Sequence, residues 1–291
     1  MFPYKPSSSA SSKPMHGELI EAVQQPDIKK IKSLLKRGAD VNERDDDMGK
    51  TALMWAAEAN ADIEIAKLLI SSGASLEAKD NGTGGGRGNT ALHYAMNGGD
   101  MSIAYLLIDA GASIEEPNDI GRTALHLAVG VNESDMALHL IKKGASLEKK
   151  DDGGNTALML AAGSYDGHLL ALLIKAGAVL NGKDGDGSTA LMAAAQSGNV
   201  ENVRLLVEAG ADLDAKNDEG HTARAIAKEN DNTEIVKIIG NAIVDRRKRA
   251  EAEEQDRLAA AEAARHEQVV GKQQLLQKTA PKFKLKKGPG L

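Results

Sequence analysis

Two stretches carry residue types that could hold an ion: the glycine run NGTGGGRGN at 81–89 and the acidic loop DGDGS at 184–188. Glycines let backbone N–H groups close on a phosphate, most usefully where the run opens a helix. A P-loop requires Gly-Lys-Ser/Thr after its spacer, and no Lys-Ser/Thr follows this run. A dinucleotide fingerprint starting at Gly82 and Gly84 requires a glycine at 87, where Arg87 stands. The acidic loop lacks both the glycine and the distant bidentate glutamate that a calcium loop needs at fixed offsets. Cysteine is absent, which removes disulfides, thiolate zinc sites, thiol catalysis and redox sensing. No cofactor, no metal and no catalytic residue is expected, and the chain does not read as an enzyme.

The elements that carry these stretches are repeated. Aligning on Thr-Ala-Leu gives KTALMWAA at 50–57, NTALHYAM at 89–96, RTALHLAV at 122–129, NTALMLAA at 155–162 and STALMAAA at 188–195, with a degenerate HTARAIAK at 221–228. The glycine two residues before each threonine is Gly49, Gly88, Gly121, Gly154, Gly187 or Gly220, and the last four intervals are each 33 residues. Gly-Ala recurs at Gly38, Gly73, Gly111, Gly144, Gly177 and Gly210. Aromatic residues make up only 2% of the 291, so Ala, Leu, Ile, Val and Met must fill the core, which suits small helices packed closely. In the copy from Gly121 to Leu147, Thr123 is placed to cap a first helix with Leu125, Ala128 and Val129 on its apolar face. Met136, Ala137, Leu140 and Ile141 recur at helical spacing for a second helix, and Gly144 supplies the positive φ that ends it. ASLEKKDDGG is polar enough to form a projecting hairpin before the next copy.

A 33-residue period with Thr-x-Leu-His-x-Ala resembles the ankyrin repeat family over about residues 16–240. The resemblance implies an all-α repeat solenoid: stacked helix-turn-helix ankyrin repeats with projecting β-hairpin loops, to which the sequence adds a long C-terminal helix. The units run 16–45 as an N-terminal cap without Thr-Ala-Leu, then 46–80, 81–117, 118–150, 151–183, 184–216 and a C-terminal unit 217–240. Alanine stands at 52, 91, 124, 157, 190 and 223 where the family usually has proline, which should soften helix entry without changing the fold. His93 and His126 hold the family's histidine position, where the ring ties one repeat to the next, and Met54, Met159 and Met192 replace it elsewhere.

The register fails once. Gly49 to Gly88 is 39 residues, six over the period. Thr51 to Gly73 is 22 where other copies have 21, which places one extra residue within the second repeat's helices. Gly73 to Gly88 is 15 where later copies have 10, so the other five lie in the hairpin containing NGTGGGRG. The glycine run is thus a flexible hairpin-tip insertion carrying Arg87, and a candidate specificity element. DGDGS is another hairpin tip in register.

Partner contact in this family usually uses hairpin tips and the exposed face of the first helix. That implies a protein partner held by Asp47, Met48, Lys50, Glu58, Arg87, Asn89, Asp119, Ile120, Arg122, Asp152, Asn155, Asp186, Ser188, Gln196, Glu219 and His221. Asn97, Val131, Ser164 and Glu229 are further helix-face positions, and Met48 and Ile120 are apolar where polar residues are expected. Trp55, the single tryptophan, reads as core filler or as a contact, with core favoured because a lone Trp most often fills a gap.

Charge is divided. Residues 241–291 carry 12 Lys/Arg against 7 Asp/Glu, leaving 24 against 35 in the first 240. An acidic body argues against nucleic acid as the partner of the repeats. Residues 1–15 read as a disordered tail without a secretory apolar region, 241–278 as a charged helical extension and 279–291 as a flexible basic tail suited to an acidic partner. No apolar run reaches the roughly 20 residues of a membrane span, and an intracellular, cytoplasmic protein is expected. The functional expectation is a non-enzymatic adaptor or scaffold. The alternative is a structural subunit of a large assembly, anchored by the long helix.

Overall fold

The computed structural model describes residues 17–81, 88–98 and 100–279. They fall into two compact units, the first ending at Lys237 and the second beginning at Ile238. The first unit is built from helix pairs. The leading helices are α1 (Glu18–Gln24), α3 (Ala52–Glu58), α5 (Ala91–Ala95), α7 (Ala124–Gly130), α9 (Ala157–Gly163), α11 (Ala190–Ser197) and α13 (Ala223–Glu229). Their partners are α2 (Ile28–Lys36), α4 (Ile63–Ser71), α6 (Ser102–Asp109), α8 (Ser134–Lys142), α10 (Gly167–Lys175), α12 (Val200–Ala209) and the start of α14 (Thr233–Thr279). The remainder of α14 is the second unit, a helix with no sustained apolar stripe. Among the described residues no helix is long and apolar enough to cross a membrane.

Local chemistry sets each helix. Threonine is the N-cap of every leading helix from α3 to α13, and the hydroxyls of Thr51, Thr156 and Thr222 accept the N–H of the third residue at 3.3–3.4 Å. Each of these helices begins on the alanine that replaces proline, so the missing ring does not displace helix entry. Aspartate or asparagine caps α2, α4, α10 and α12 through Asp27, Asp62, Asp166 and Asn199. The extra residue of the second repeat lies elsewhere than expected. α4 starts on Ile63 and the surplus sits in the turn 59–62, because a turn absorbs one residue where a helix would rotate its apolar face by about 100°.

The tips are turns rather than strand ladders; among the described residues the one β-bridge joins Arg44 and Thr51. Each tip is closed by a short backbone bond, such as Asp151 N–H to Asn155 O at 2.9 Å. The first residue of the tip then folds its side chain inward. Asp151 Oδ1 accepts the N–H groups of Gly153 and Asn155 at 3.0 and 2.9 Å, and Asp184 Oδ1 accepts those of Asp186 and Ser188 at 2.9 and 2.8 Å. The leading carboxylate of DGDGS is therefore committed to its own turn. Burial pushes the Asp151 carboxyl up, but donation by the Asn155 backbone and side chain, with Arg122 nearby, holds it below the usual carboxylate range.

Repeats are joined by hydrogen bonds that reach one copy onward. Tip backbones pair directly: Asp152 N–H donates to Ile120 O at 3.0 Å, Gly185 to Gly153 at 2.8 Å and Asp218 to Asp186 at 3.0 Å. Gly121 has φ +73° and a Cβ there would meet the Asp152 nitrogen at 2.8 Å, so both conformation and space require glycine. A second row links the residue after Gly-Ala to a side chain of the preceding copy. Ser75, Ser113, Ser146, Val179 and Asp212 donate their N–H to Asn42, Glu77, Glu115, Glu148 and Asn181 at 2.7–2.8 Å. In a third row, Lys79, Lys150 and Lys183 donate to the carbonyls of Pro117, Lys183 and Lys216 at 2.6–2.7 Å.

The histidines complete the joint as expected. His93 Nδ1 accepts the Thr90 N–H at 3.1 Å and its Nε2 lies 3.1 Å from Arg122 O. His126 repeats this with Thr123 at 3.2 Å and Asn155 O at 3.1 Å. These partners fix the neutral tautomer with hydrogen on Nε2. In its place Met54 offers only a sulfur acceptor to the Thr51 N–H at 3.4 Å and cannot donate onward.

Burial lowers both histidine pKa values from their ordinary 6.5, because the charged ring is disfavoured in the core. The unfolded chain therefore binds protons that the folded one refuses. The histidines' contribution to stability is full above about pH 6.5 and is lost as pH falls toward the depressed folded values. The paired change His93→Met and His126→Met should lower stability at pH 7.5 by about 1–3 kcal/mol per lost joint. It should also flatten the decline between pH 7.5 and 5.5 in urea denaturation, and an unchanged slope would assign the titration to other groups.

Candidate functional site

The candidate residues lie at the tips and on the leading helices, and the structure sorts them into three groups. Asp47, Asp119, Asp152, Asp186 and Glu219 are exposed, each at a different tip, and Glu58 and Gln196 are exposed on α3 and α11. Most of the others line two clefts on this face. Glu58, Asn89, Ile120 and Arg122 meet beside Tyr94 and Leu127 around a cavity of about 430 Å³ spanning three repeats. Ser188, Gln196, Glu219 and His221 meet beside Met192 and Glu229 around a smaller one of about 300 Å³. Asn155 is turned into its own tip, where its amide donates to Asp151 Oδ1 at 3.0 Å. Met48 is half-buried, and its carbonyl accepts the Asn81 N–H at 2.9 Å. Arg87 and the glycine run at 82–87 lie outside the described residues.

The larger cleft carries opposite charges. Arg122 Nε lies 3.5 Å from Asp151 Oδ2 at its rim. Asn118 spans the same floor, donating to Asn89 Oδ1 at 3.1 Å while its own Oδ1 accepts the Arg122 N–H at 3.0 Å. In the smaller cleft His221 sits between two carboxylates, with Nδ1 3.4 Å from Glu219 and Nε2 3.8 Å from Glu229. Among the described residues no three His, Asp or Glu side chains converge as a metal ligand set.

Lys50 departs from its expected role. It is 2% exposed, and its ammonium lies 4.5 Å from the Trp55 ring centroid and 4.3 Å from that of Tyr94. Glu58 Oε2 completes the surroundings at 2.7 Å. An ammonium between two aromatic faces and one carboxylate compensates for its lost hydration, which is why this lysine stays inside rather than presenting itself to a partner. Acidic residues hold both rings. Trp55 Nε1 donates to Asp45 Oδ2 at 2.7 Å, and the Tyr94 hydroxyl donates to Asp80 Oδ2 at 2.5 Å. Burial and that carboxylate raise the Tyr94 pKa further above its usual value. Trp55 is accordingly half-buried at the tip face, neither core filler nor a free contact.

Sequence reasoning passed over three of these residues. Asp45 and Asp80 orient the rings, and Asn202, wholly buried, occupies a position that is apolar in the sister copies. Its amide donates to the carbonyls of Ala161, Ala162 and Ser164 at 2.9–3.3 Å, closing the end of α9. The available signal was asparagine standing where Ile103, Met136 and Leu169 stand in other copies.

Replacing Lys50 by glutamine keeps the length and removes the charge between the rings. Lys50→Gln should cost about 1–2 kcal/mol, most of it lost cation–π attraction because Glu58 is half-exposed and rehydrates. A Tm lowered by a few degrees together with altered Trp55 fluorescence is the expected result, and the wild-type Tm would show that the sandwich contributes nothing.

Comparison with known proteins agrees with this architecture. The family described as ankyrin repeats (3 copies) matches residues 19–80, 77–151 and 132–217. Among solved structures, the chain is similar to the crystal structure of the ankyrin repeat domain of Bcl-3, described there as a unique member of the IkappaB protein family. The two are 27% identical with a TM-score of 0.66, over 78% of this chain and 99% of that one. No curated protein matches the chain. Three successive matches spanning most of its length, on helix pairs joined tip to tip in one register, show that the chain belongs to the ankyrin repeat family.

Proposed function

We propose that the chain is a non-catalytic adaptor that captures a protein partner on the face made by its hairpin tips and leading helices. Ankyrin repeats generally serve protein–protein interaction, and repeat modules of this kind are typically non-enzymatic. The observation that supports the reading here is a row of exposed acids, Asp119, Asp152, Asp186 and Glu219, one at each of four consecutive tips. Asp152 is the donor in one tip-to-tip backbone bond and Asp186 the acceptor in another, so their spacing is held before any partner arrives. The partner is then a surface or segment carrying Lys or Arg at matching intervals. The two clefts supply shape between the charges: Ile120 and Leu127 offer apolar contact in one, and the half-buried Ala193 in the other. The charged extension at 241–278 and the basic segment at 279–291 provide a second attachment, which makes the protein a bridge between two components.

Such a surface acts mainly on encounter rate and selectivity and weakens with salt. Reversing two charges of the row, Asp152→Lys with Asp186→Lys, should leave the thermal melt unchanged, since neither carboxylate stabilises the stack. The variant should lose the partners that immobilised wild-type protein retains from an extract of the native source. An identical set of retained proteins, identified by mass spectrometry, would remove this face as the docking site.

A further inference from the structure

The last repeat ends in a groove unlike the rest of the acidic body. In every Thr-Ala-Leu copy the leucine is buried: Leu53, Leu92, Leu125, Leu158 and Leu191 are at most 2% exposed. Arg224 takes this place in the final copy and is exposed. Four residues on, where Ala57, Met96, Val129, Ala162 and Ala195 are buried, stands the exposed Lys228. The His/Met position becomes Ala225, half-buried. The His/Met position reaches the following repeat in the inner copies, and α14 rather than another Thr-Ala-Leu helix comes after α13. Arg224 and Lys228 on α13 and Lys237 on α14 rim a cavity of about 640 Å³ whose apolar wall is Ala225 and Val236.

A terminal repeat needs a polar outer face for solubility. That requirement is met by neutral or mixed side chains and does not call for like charges gathered on one groove. Arg224 and Lys228 are four apart on the same helix, an arrangement that repels and costs the helix stability. Of the nearby acids, Glu234 is paired with Arg204 at 2.9 Å, and Glu229 lines the other cleft beside His221. One carboxylate, Asp231, lines the groove against three cations. A bound anion would relieve this excess, and the apolar wall favours one that brings aliphatic side chains with it.

We propose that this terminal groove is a second docking site, for an acidic segment of a partner protein with interspersed aliphatic residues. It is separate from the acidic row at the tips and selects the opposite charge, so the tip row and the terminal groove recruit different partners.

The test uses the full chain and a fluorescein-labelled nonapeptide of three Glu-Leu-Glu units, with a Lys-Leu-Lys nonapeptide as control, read by fluorescence anisotropy. The acidic peptide should bind and the basic control should not compete at this site. Arg224→Gln with Lys228→Gln keeps the end polar and should weaken acidic-peptide binding about tenfold, with an unchanged melt confirming the fold. The tip variant Asp152→Lys with Asp186→Lys should retain it, which separates failure here from failure of the tip surface. No binding by the wild type, or equal binding by the glutamine pair, would overturn the proposal. So would loss of charge-dependent binding to phosphatidylserine vesicles in the glutamine pair when the peptide itself is not bound, an outcome that assigns the groove to lipid headgroups.

Discussion

The structure depends on hydrogen bonds that a single repeat cannot make for itself. The N–H after Gly-Ala, the carbonyls beside each tip and the histidine Nε2–H all find their partners about one period away. The histidines are buried, and a buried polar group left unpaired costs about 1–3 kcal/mol, while the exposed rows, which water could satisfy in a lone repeat, hold neighbouring copies in register. This explains why the period is so strict from Gly88 onward. An extra residue inside a Gly-Ala turn shifts the donor after it away from its acceptor, while the surplus in the turn 59–62 and the five residues added to the tip before Gly88 leave the joints in place: Asp80 N–H still reaches Asn89 O at 3.1 Å and Asn81 N–H reaches Met48 O at 2.9 Å.

The same requirement decides what a sequence reading can reach. Thr123, Gly144 and His126 act within their own unit or across one fixed joint, so their type and spacing announce their roles. Lys50 does not. Its surroundings combine Trp55 and Glu58 of its own copy with Tyr94 of the next, and only stacking brings the second ring within 4.3 Å of the ammonium. A lysine beside a tip glycine therefore reads as solvent-facing until the neighbouring repeat is in place. Asn202 shows the same limit from the other side. Its position belongs to an apolar helix face, and its three carbonyl acceptors lie 38–41 residues earlier in the chain.

The acids of the tips are likewise of two kinds that composition cannot separate. Asp45, Asp151 and Asp184 spend their oxygens on backbone N–H groups of their own turns, and Asp45 also holds the indole of Trp55. Asp119, Asp152 and Asp186, one or two positions further along, point outward. The first kind shapes the turn that holds the second. Removing an inner acid would therefore disturb both the charge row and the geometry carrying it, whereas an outer acid can change with the turn intact.

The tip row and the last copy also differ in electrostatic character. Along the tips, negative charge is spaced by backbone bonds and spread over several repeats, which suits an extended basic surface more than a single cation. At the last copy the stacking positions of Leu and Ala have become Arg224 and Lys228, and their charge is gathered on one groove instead of distributed. The change from leucine to arginine ends the stack because a guanidinium is costly to bury without a partner, and in the same step it reverses the local field of an acidic body. Termination and recognition of acidic chemistry thus draw on one substitution, which the final HTAR makes visible where the five copies before it have Thr-Ala-Leu.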